Sequence, residues 1–377
     1  MRIGFDGKRA VQNFTGLGNY SRYVADILCH FYPENDYVLY APKKRENKRM
    51  NLLTGQYRQL TLAYPATSFW KKLSSLWRVW GITSQLEKEG IELFHGLSNE
   101  LPLNIHKSRI KSIVTIHDLI FLRYPQYYQS IDRKIYTYKF RKACENADKI
   151  IAISECTKRD ITRYFNIPDD KIEVVYQGCD VSFTHPVTEE KKEEVRKKYH
   201  LPDHYILNVG SIEERKNILA AVQALPMLPQ HIHIVIVGRR TGYTKKVEQF
   251  IKDNGLGERV HIISNVPFND LPAFYQSAEI FVYPSRFEGF GIPIIEALYS
   301  GIPVVAATGS CLEEAGGPDS IYVNPDDITG LADAFKQIYS NSDKRKNMVE
   351  KGREFAKRFS EKQQSEEIIN IYKKLIR

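Results

Sequence analysis

Two doubly wound α/β domains with a ligand cleft between them are the architecture this sequence predicts, and three observations carry it. Short β-rich runs alternate with longer helical stretches along the chain, the order expected of right-handed βαβ units. Many of those runs lack apolar–polar alternation, as strands buried on both faces of a parallel sheet do. Residues 184–198, with Pro186, blocks of charge and no strong apolar face, separate two such sets and read as a linker entering a surface helix.

Taken in order, strands are expected near residues 2–6, 37–41, 92–95, 112–117, 149–154 and 173–176. The second set falls near 205–209, 233–237, 261–264, 280–283, 303–306 and 321–323. The first domain is therefore expected over residues 1–185 and the second over 186–359. Ile368, Ile369, Ile371, Tyr372 and Leu375 give residues 360–377 a helical pattern, and this helix is expected to cross back onto the first domain. In such folds ligands bind beyond the carboxyl ends of the strands.

The bulk numbers agree with this. The 377 residues are 42% hydrophobic and 26% charged, enough for two cores and unlike a disordered tail or a membrane bundle. Asp6 comes too early for a signal peptide, and no apolar run approaches the roughly 18 residues of a spanning helix. Cysteines 29, 144, 156, 179 and 311 are scattered, with no Cys-x-x-Cys pair, which fits a reducing compartment rather than a disulfide framework or a zinc site. Residues 1–185 hold 28 Lys+Arg against 19 Asp+Glu, so the whole net charge of +9 lies in the first half. That half should face something anionic: a membrane surface, a nucleic acid or a phosphate-bearing substrate.

The run SRFEGFGIPIIE at 285–296 is the most informative stretch. It follows the apolar residues 280–284 and reads as strand, glycine loop and helix, with Pro293 at the helix start. Such a junction aims backbone N–H groups and the positive helix end at an anion. Glu288 would stand beside the anion and Glu296 about one turn inside the helix, carboxylates placed to accept hydroxyls of a ribose or a sugar.

Three further strand ends carry candidates. The stretch GSIEERKN at 210–217 puts Arg215 and Lys216 near a loop, where a guanidinium fork and an ammonium suit a diphosphate. Taken alone it fits an exposed charged turn as well, with Glu213 and Glu214 neutralising both cations. Thr15-Gly16-Leu17-Gly18 opens a helix after the first strand, yet the third glycine of a dinucleotide fingerprint is missing and a plain turn fits equally. His117 and Asp118 end the strand at 112–117, where an imidazole can bond a sugar hydroxyl or a phosphate oxygen; Asp118 also suits a helix cap. Ser154 reads as an N-cap, with no catalytic role for Cys156. Finally, Phe69, Leu73, Leu76 and Trp80 form a helical stripe among basic residues, with Trp77 near it. That pattern fits a membrane-interface helix and an ordinary packing helix alike. No Asp-x-Asp and no His/Cys cluster of metal-ligand spacing occurs, and no nucleic-acid-binding signature is found.

Together these residues resemble glycosyltransferase family 4, retaining enzymes of the GT-B architecture, in which two Rossmann-like domains face each other across a cleft. EGFGIPIIE at 288–296 is similar to the family's Glu-x7-Glu motif, and ALYSGIPVV at 297–305 is typical of it. The chain is similar to the bacterial mannosyl-, glucosyl- and rhamnosyltransferases of surface-polysaccharide assembly. By this resemblance the second domain would bind a GDP- or UDP-hexose and the first a glycan or polyprenyl-diphosphate-linked acceptor. Glu296 would hold the ribose and Glu288 the donor sugar. Arg215 and Lys216 would neutralise the diphosphate, assisted by the loop Gly289-Phe290-Gly291-Ile292. Gly16, with Gly18 in the same loop, would approach that phosphate. His117, with Asp118 beside it, would touch the sugar near the reacting carbon, and Asn265 and Val266 would line the base pocket. Ser211 stands where many relatives have an arginine, and Arg215 is the candidate replacement. No cofactor, metal or nucleic acid is expected. The implied location is cytoplasmic, with contact at the inner face of an anionic membrane left open. A nucleotide-sugar epimerase of the same shape and a non-catalytic binder of phosphorylated ligands or nucleic acid are the rival readings.

Overall fold

The computed structural model describes residues 1–376, which form two compact units. One comprises Met1–Gln177 and the chain from Glu361 on; the other comprises Gly178–Ser360. Residues 178–185, expected in the first domain, belong to the second unit. Fully buried Phe183 packs its ring 5.8 Å from Phe268 and 5.3 Å from Tyr275, and this aromatic contact fixes the boundary.

The first unit is built on a seven-stranded sheet: β1 (Arg2–Asp6), β2 (Asp36–Tyr40), β3 (Leu60–Ala63), β4 (Leu93–Gly96), β5 (Lys111–Ile116), β6 (Lys149–Ala152) and β7 (Ile172–Val174). Their spatial order is β3-β2-β1-β4-β5-β6-β7, and every pairing is parallel. Successive side chains serve opposite faces. Leu93, Ile113 and Ile151 point to one core, where the helices Gly16–Phe31 and Glu361–Ile376 pack. Phe94, Val114 and Ile150 point to the other. The strand β3 has no counterpart among the sequence expectations. It is a four-residue edge strand with one fully buried position, so it carries little of the apolar signal that marks the central strands.

The second unit holds β8 (Tyr205–Val209), β9 (His233–Val237), β10 (Val260–Ile263), β11 (Ile280–Tyr283), β12 (Val304–Ala307) and β13 (Ile321–Val323). Here the order is β10-β9-β8-β11-β12-β13, again all parallel. Chain order thus reverses between β1 and β4 in one sheet and between β8 and β11 in the other. Loops leaving the carboxyl ends of such neighbouring strands diverge to opposite faces and leave a crevice.

The expected surface helix after the linker is Glu189–Tyr199, started by the Thr188 side chain accepting from Lys191 N. The tryptophan-rich stretch folds as the short helices Ser68–Lys72 and Ser74–Leu76 followed by a π-helical turn, Trp77–Gly81. That turn rotates Trp77 away from its expected neighbours. Trp77 is completely buried and donates to Gln85 Oε1 at 3.1 Å, whereas Phe69, Leu73, Leu76 and Trp80 stay exposed. Among the described residues, no helix is long and apolar enough to cross a membrane.

Candidate active site

The second unit's crevice is assembled by two loops. After β8 the chain turns at Gly210 (φ 153°), whose carbonyl oxygen approaches so closely that a Cβ on Gly238 would lie 1.7 Å from it. The stretch then closes a 3₁₀ turn at Glu214–Lys216 and reaches Asn217, left-handed at φ 53°. Asn217 Nδ2 donates to the carbonyls of Pro284 (3.3 Å) and Pro325 (2.8 Å), and Arg286 N donates to Arg215 O at 2.8 Å. These bonds lash the β8 loop to the β11 loop.

The lashing brings Arg215, Lys216, Tyr283 and Glu288 together. Arg215 Nη1 lies 2.9 Å from Glu288 Oε2 and also donates to the Phe287 carbonyl. Lys216 Nζ lies 3.2 Å from Glu288 Oε1, donates to Tyr283 Oη at 2.9 Å, and sits 5.2 Å from the centre of that ring. Tyr283 in turn donates to Glu288 Oε1 at 3.2 Å. Burial alone would raise the Glu288 pKa, but the charges of Lys216 and then Arg215 outweigh it and hold the carboxyl at about 2. Burial would lower the Lys216 pKa, and Glu288 reverses this and lifts it above the usual lysine range. Burial, reinforced by Glu288, pushes the Tyr283 phenol to about 12. Glu213 Oε2 also lies 3.8 Å from Arg215 Nη2, and its Oε1 lies 3.7 Å from exposed Arg239 Nη2, so the cluster carries three cations for two carboxylates. It retains a net positive charge at the mouth of a strand-to-helix loop.

That loop ends at Gly291, which caps the helix Ile292–Ser300 with φ 131°. A Cβ there would press to 3.1 Å on Leu312 and 3.3 Å on Ala315, besides the backbone strain, so the position calls for glycine. Cys311 Sγ donates to the carbonyls of Phe290 (2.9 Å) and Glu288 (3.1 Å), pinning the loop from beneath. Pro293 occupies the first helical turn, where its missing N–H is no loss. Glu296, one turn in, accepts from Tyr275 Oη at 2.6 Å. Burial raises its pKa to about 7 against the Tyr275 bond, with Asp180 adding to the rise. Ser211 holds Glu213 Oε1 at 2.7 Å, and the Arg215 side chain reaches Glu288. Asn265 (φ 59°) and Val266 follow β10, two strands from β8 in the sheet.

In the first unit, His117 follows β5 and is nearly buried. Its Nε2 donates to Leu97 O at 2.9 Å, its Nδ1 accepts from Gln177 Nε2 at 3.2 Å, and Tyr20 packs edge-on with centroids 4.6 Å apart. These partners define the neutral Nε2–H tautomer. Burial lowers the pKa to about 4 against the Leu97 bond. At neutral pH the ring is therefore a neutral hydrogen-bonding group. Asp118 Oδ1 accepts from Ile120 N at 3.1 Å, a turn contact just ahead of the helix Ile120–Arg123, whose N-cap is Leu119 rather than Asp118. Gly16 opens the helix Gly16–Phe31 at an exposed position with open space where a Cβ would stand. Gly18 is different. A Cβ there would lie 2.0 Å from Asn13 O, so close backbone packing by itself calls for glycine.

Two features escaped the sequence reading. Tyr283 and Tyr275 support Glu288 and Glu296, and Tyr283 stands at a strand end, the same position that singled out His117. Second, Arg78 is buried between Asp6 and Glu100, with Nε 3.0 Å from Asp6 Oδ2 and Nη1 2.6 Å from Glu100 Oε2. These three residues lie far apart in sequence, and no local pattern joins them.

The model of the glycosyl transferases group 1 matches residues 188–355, and that of Glycosyltransferase Family 4 matches residues 21–183. Over 289 residues the chain is 30% identical to O-antigen chain mannosyltransferase B of Escherichia coli, covering 75% of this chain and 74% of the relative. Over 225 residues it is 29% identical to O-antigen chain mannosyltransferase RfbU of Salmonella typhimurium, covering 60% of each. Among solved structures, HepE of Anabaena in complex with UDP and glucose superposes with a TM-score of 0.77 at 17% identity, covering 100% of both chains. Sucrose-phosphate synthase from Thermosynechococcus elongatus gives 0.78 at 20%, covering 100% of this chain and 99% of its own. These structural likenesses show the fold, which is the two-domain α/β GT-B fold of glycosyltransferases. The chain belongs to glycosyltransferase family 4 and is a glycosyltransferase.

Proposed function

We propose that the protein transfers a hexose, mannose or glucose in type, from a GDP- or UDP-linked donor to a hydroxyl of a glycan or polyprenyl-diphosphate-linked glycan in surface-polysaccharide assembly. The observation that carries this reading is the pair Arg215 and Lys216, whose Nη1 and Nζ lie 2.9 Å and 3.2 Å from one carboxylate. Two cations at a helix start suit the charge that develops on a departing nucleoside diphosphate. On this reading they do the work for which other enzymes recruit a metal, and transfer persists in EDTA. Glu288 receives donor-sugar hydroxyls, Glu296 the ribose, and His117 the sugar near its reacting carbon. The names of the two O-antigen relatives favour mannose. Attack on the face from which the diphosphate leaves would retain configuration without a covalent intermediate.

The acceptor side rests on the first unit's surface. Exposed Ile131, Ile135 and Tyr138 share one face of the helix Ser130–Asn146, and Ile135 and Tyr138 line a cavity of about 330 Å³ with Val79, Leu101, Lys134 and Lys139. With exposed Phe69, Leu73, Leu76 and Trp80, this apolar and basic surface suits peripheral contact with the inner face of an anionic membrane. Purified protein incubated with labelled GDP-mannose, UDP-glucose and their relatives, with and without a lipid-linked acceptor, tests the assignment. Acceptor-dependent transfer with the donor's anomeric configuration kept is expected. Isomerisation of the sugar without acceptor would instead make it an epimerase. Flotation with phosphatidylglycerol vesicles tests the membrane contact, and Trp80→Ala with Ile135→Ala should reduce it severalfold.

A further inference from the structure

Glu288 already occupies the two cations assigned above to the diphosphate. Its Oε2 is 2.9 Å from Arg215 Nη1 and its Oε1 3.2 Å from Lys216 Nζ. A diphosphate arriving at the same two cations would compete with Glu288 for them, and the two anions would repel each other. One partner of Glu288 carries no charge: Tyr283, buried and stacked on Phe281 with centroids 5.9 Å apart, offers its hydroxyl to Glu288 at 3.2 Å and accepts from Lys216 at 2.9 Å.

Resting on the diphosphate reading, we propose that Glu288 is a resident counter-anion exchanged for the donor. In the donor-free protein it holds Arg215 and Lys216 in place. As the diphosphate arrives it surrenders them, and its released carboxylate accepts hydroxyls of the incoming sugar. Tyr283 is the positioning residue that keeps one hydrogen bond to Glu288 while the cations turn away. The exchange discriminates between donor and product. A sugar nucleotide brings hydroxyls that compensate Glu288, whereas a bare nucleoside diphosphate brings only the competing anion and is expelled more readily.

Calorimetric titration of GDP and UDP tests this. Glu288→Gln removes the competing charge, and it should bind the nucleoside diphosphate about tenfold tighter or more while losing sugar transfer. Glu288→Asp, with its carboxylate withdrawn, should tighten binding by less and serves if the glutamine variant misfolds. Tyr283→Phe should weaken nucleoside diphosphate binding severalfold, and adding Glu288→Gln should reverse that loss, a rescue that a merely structural tyrosine would not show. Lys216→Ala separates the two levels of inference. If it binds the nucleoside diphosphate as wild type does, the diphosphate reading falls. If it weakens binding while folded Glu288→Gln or Glu288→Asp binds no tighter than wild type, the exchange alone falls.

Discussion

Both sheets reverse their chain order at one point, yet the charges gathered near the two reversals differ in balance. After β8 and β11, one carboxylate, Glu288, meets two cations, Arg215 and Lys216. After β1 and β4, one cation, Arg78, meets two carboxylates, Asp6 and Glu100, with half-exposed Lys139 3.6 Å from Glu100. The first arrangement keeps a positive charge to spend on a ligand; the second is compensated internally and holds a loop together. The neighbouring histidines extend the contrast. His95 and His117 are buried and neutral, bonded to Thr115 and Tyr372 and to Leu97 and Gln177. A shared topology therefore supplies the location of a site, and the charge ratio at the strand ends says what the site can receive.

Removing one cation from each cluster should expose the difference most sharply. Lys216→Ala leaves Arg215 to pair with Glu288, so the unfolding midpoint should hold while kcat/KM for transfer falls by about 10³-fold or more. Arg78→Ala strands two buried carboxylates and should cost about 3–5 kcal/mol in denaturant unfolding. If Lys216→Ala unfolds the protein and Arg78→Ala does not, the contrast between ligand site and structural cluster is wrong.

The pH dependence of stability should also divide the two regions. Glu296, raised to about 7, binds its proton more tightly folded than unfolded. Its contribution is complete below the ordinary glutamate range and is lost as pH rises through about 7, amounting to about 3 kcal/mol at most. His117, lowered to about 4, acts in the opposite sense: its contribution is present above the ordinary histidine range and lost as pH falls through about 4. Denaturant midpoints should therefore rise from pH 5 to about 6.5 and then level in Glu296→Gln, where wild type levels off or declines. Identical profiles would remove the burial argument for Glu296. If its carboxylate holds ribose, nucleotide affinity should also rise from pH 6 to 8 in wild type and stay flat in the variant.

A smaller effect separates the two glycines of the first helix. Gly18→Ala forces a methyl onto the Asn13 carbonyl and should destabilise by about 1–3 kcal/mol. Gly16→Ala, in open space, should leave stability within about 0.5 kcal/mol. Equal thermal shifts for the two would undo that assignment.

Much of this was legible in the chain. Central parallel strands such as β8, β9 and β11 announce themselves because burial on both faces demands unbroken apolar runs, and Gly291 and Pro293 mark the helix start by backbone chemistry alone. The edge strand β3 was not legible, since half of it faces water. Nor was the burial of Trp77, which depends on a π-helical turn that shifts the helical register. Glu288 and Glu296 could be found from their loop, but Tyr283 and Tyr275 gain meaning only once another element presents a charge to them. The first half's excess of basic residues is not concentrated in the Arg78 cluster, which is balanced; Lys134 lines the same cavity as exposed Ile135 and Tyr138.

The most direct measurement is a structure of the protein soaked with the nucleoside diphosphate product of whichever donor supports transfer. The diphosphate oxygens should lie within ion-pair distance of both Arg215 and Lys216, with Glu288 turned from them and the ribose on Glu296. A diphosphate bound away from those two cations, with Glu288 still holding them, would refute the claim that this cluster exists to receive it.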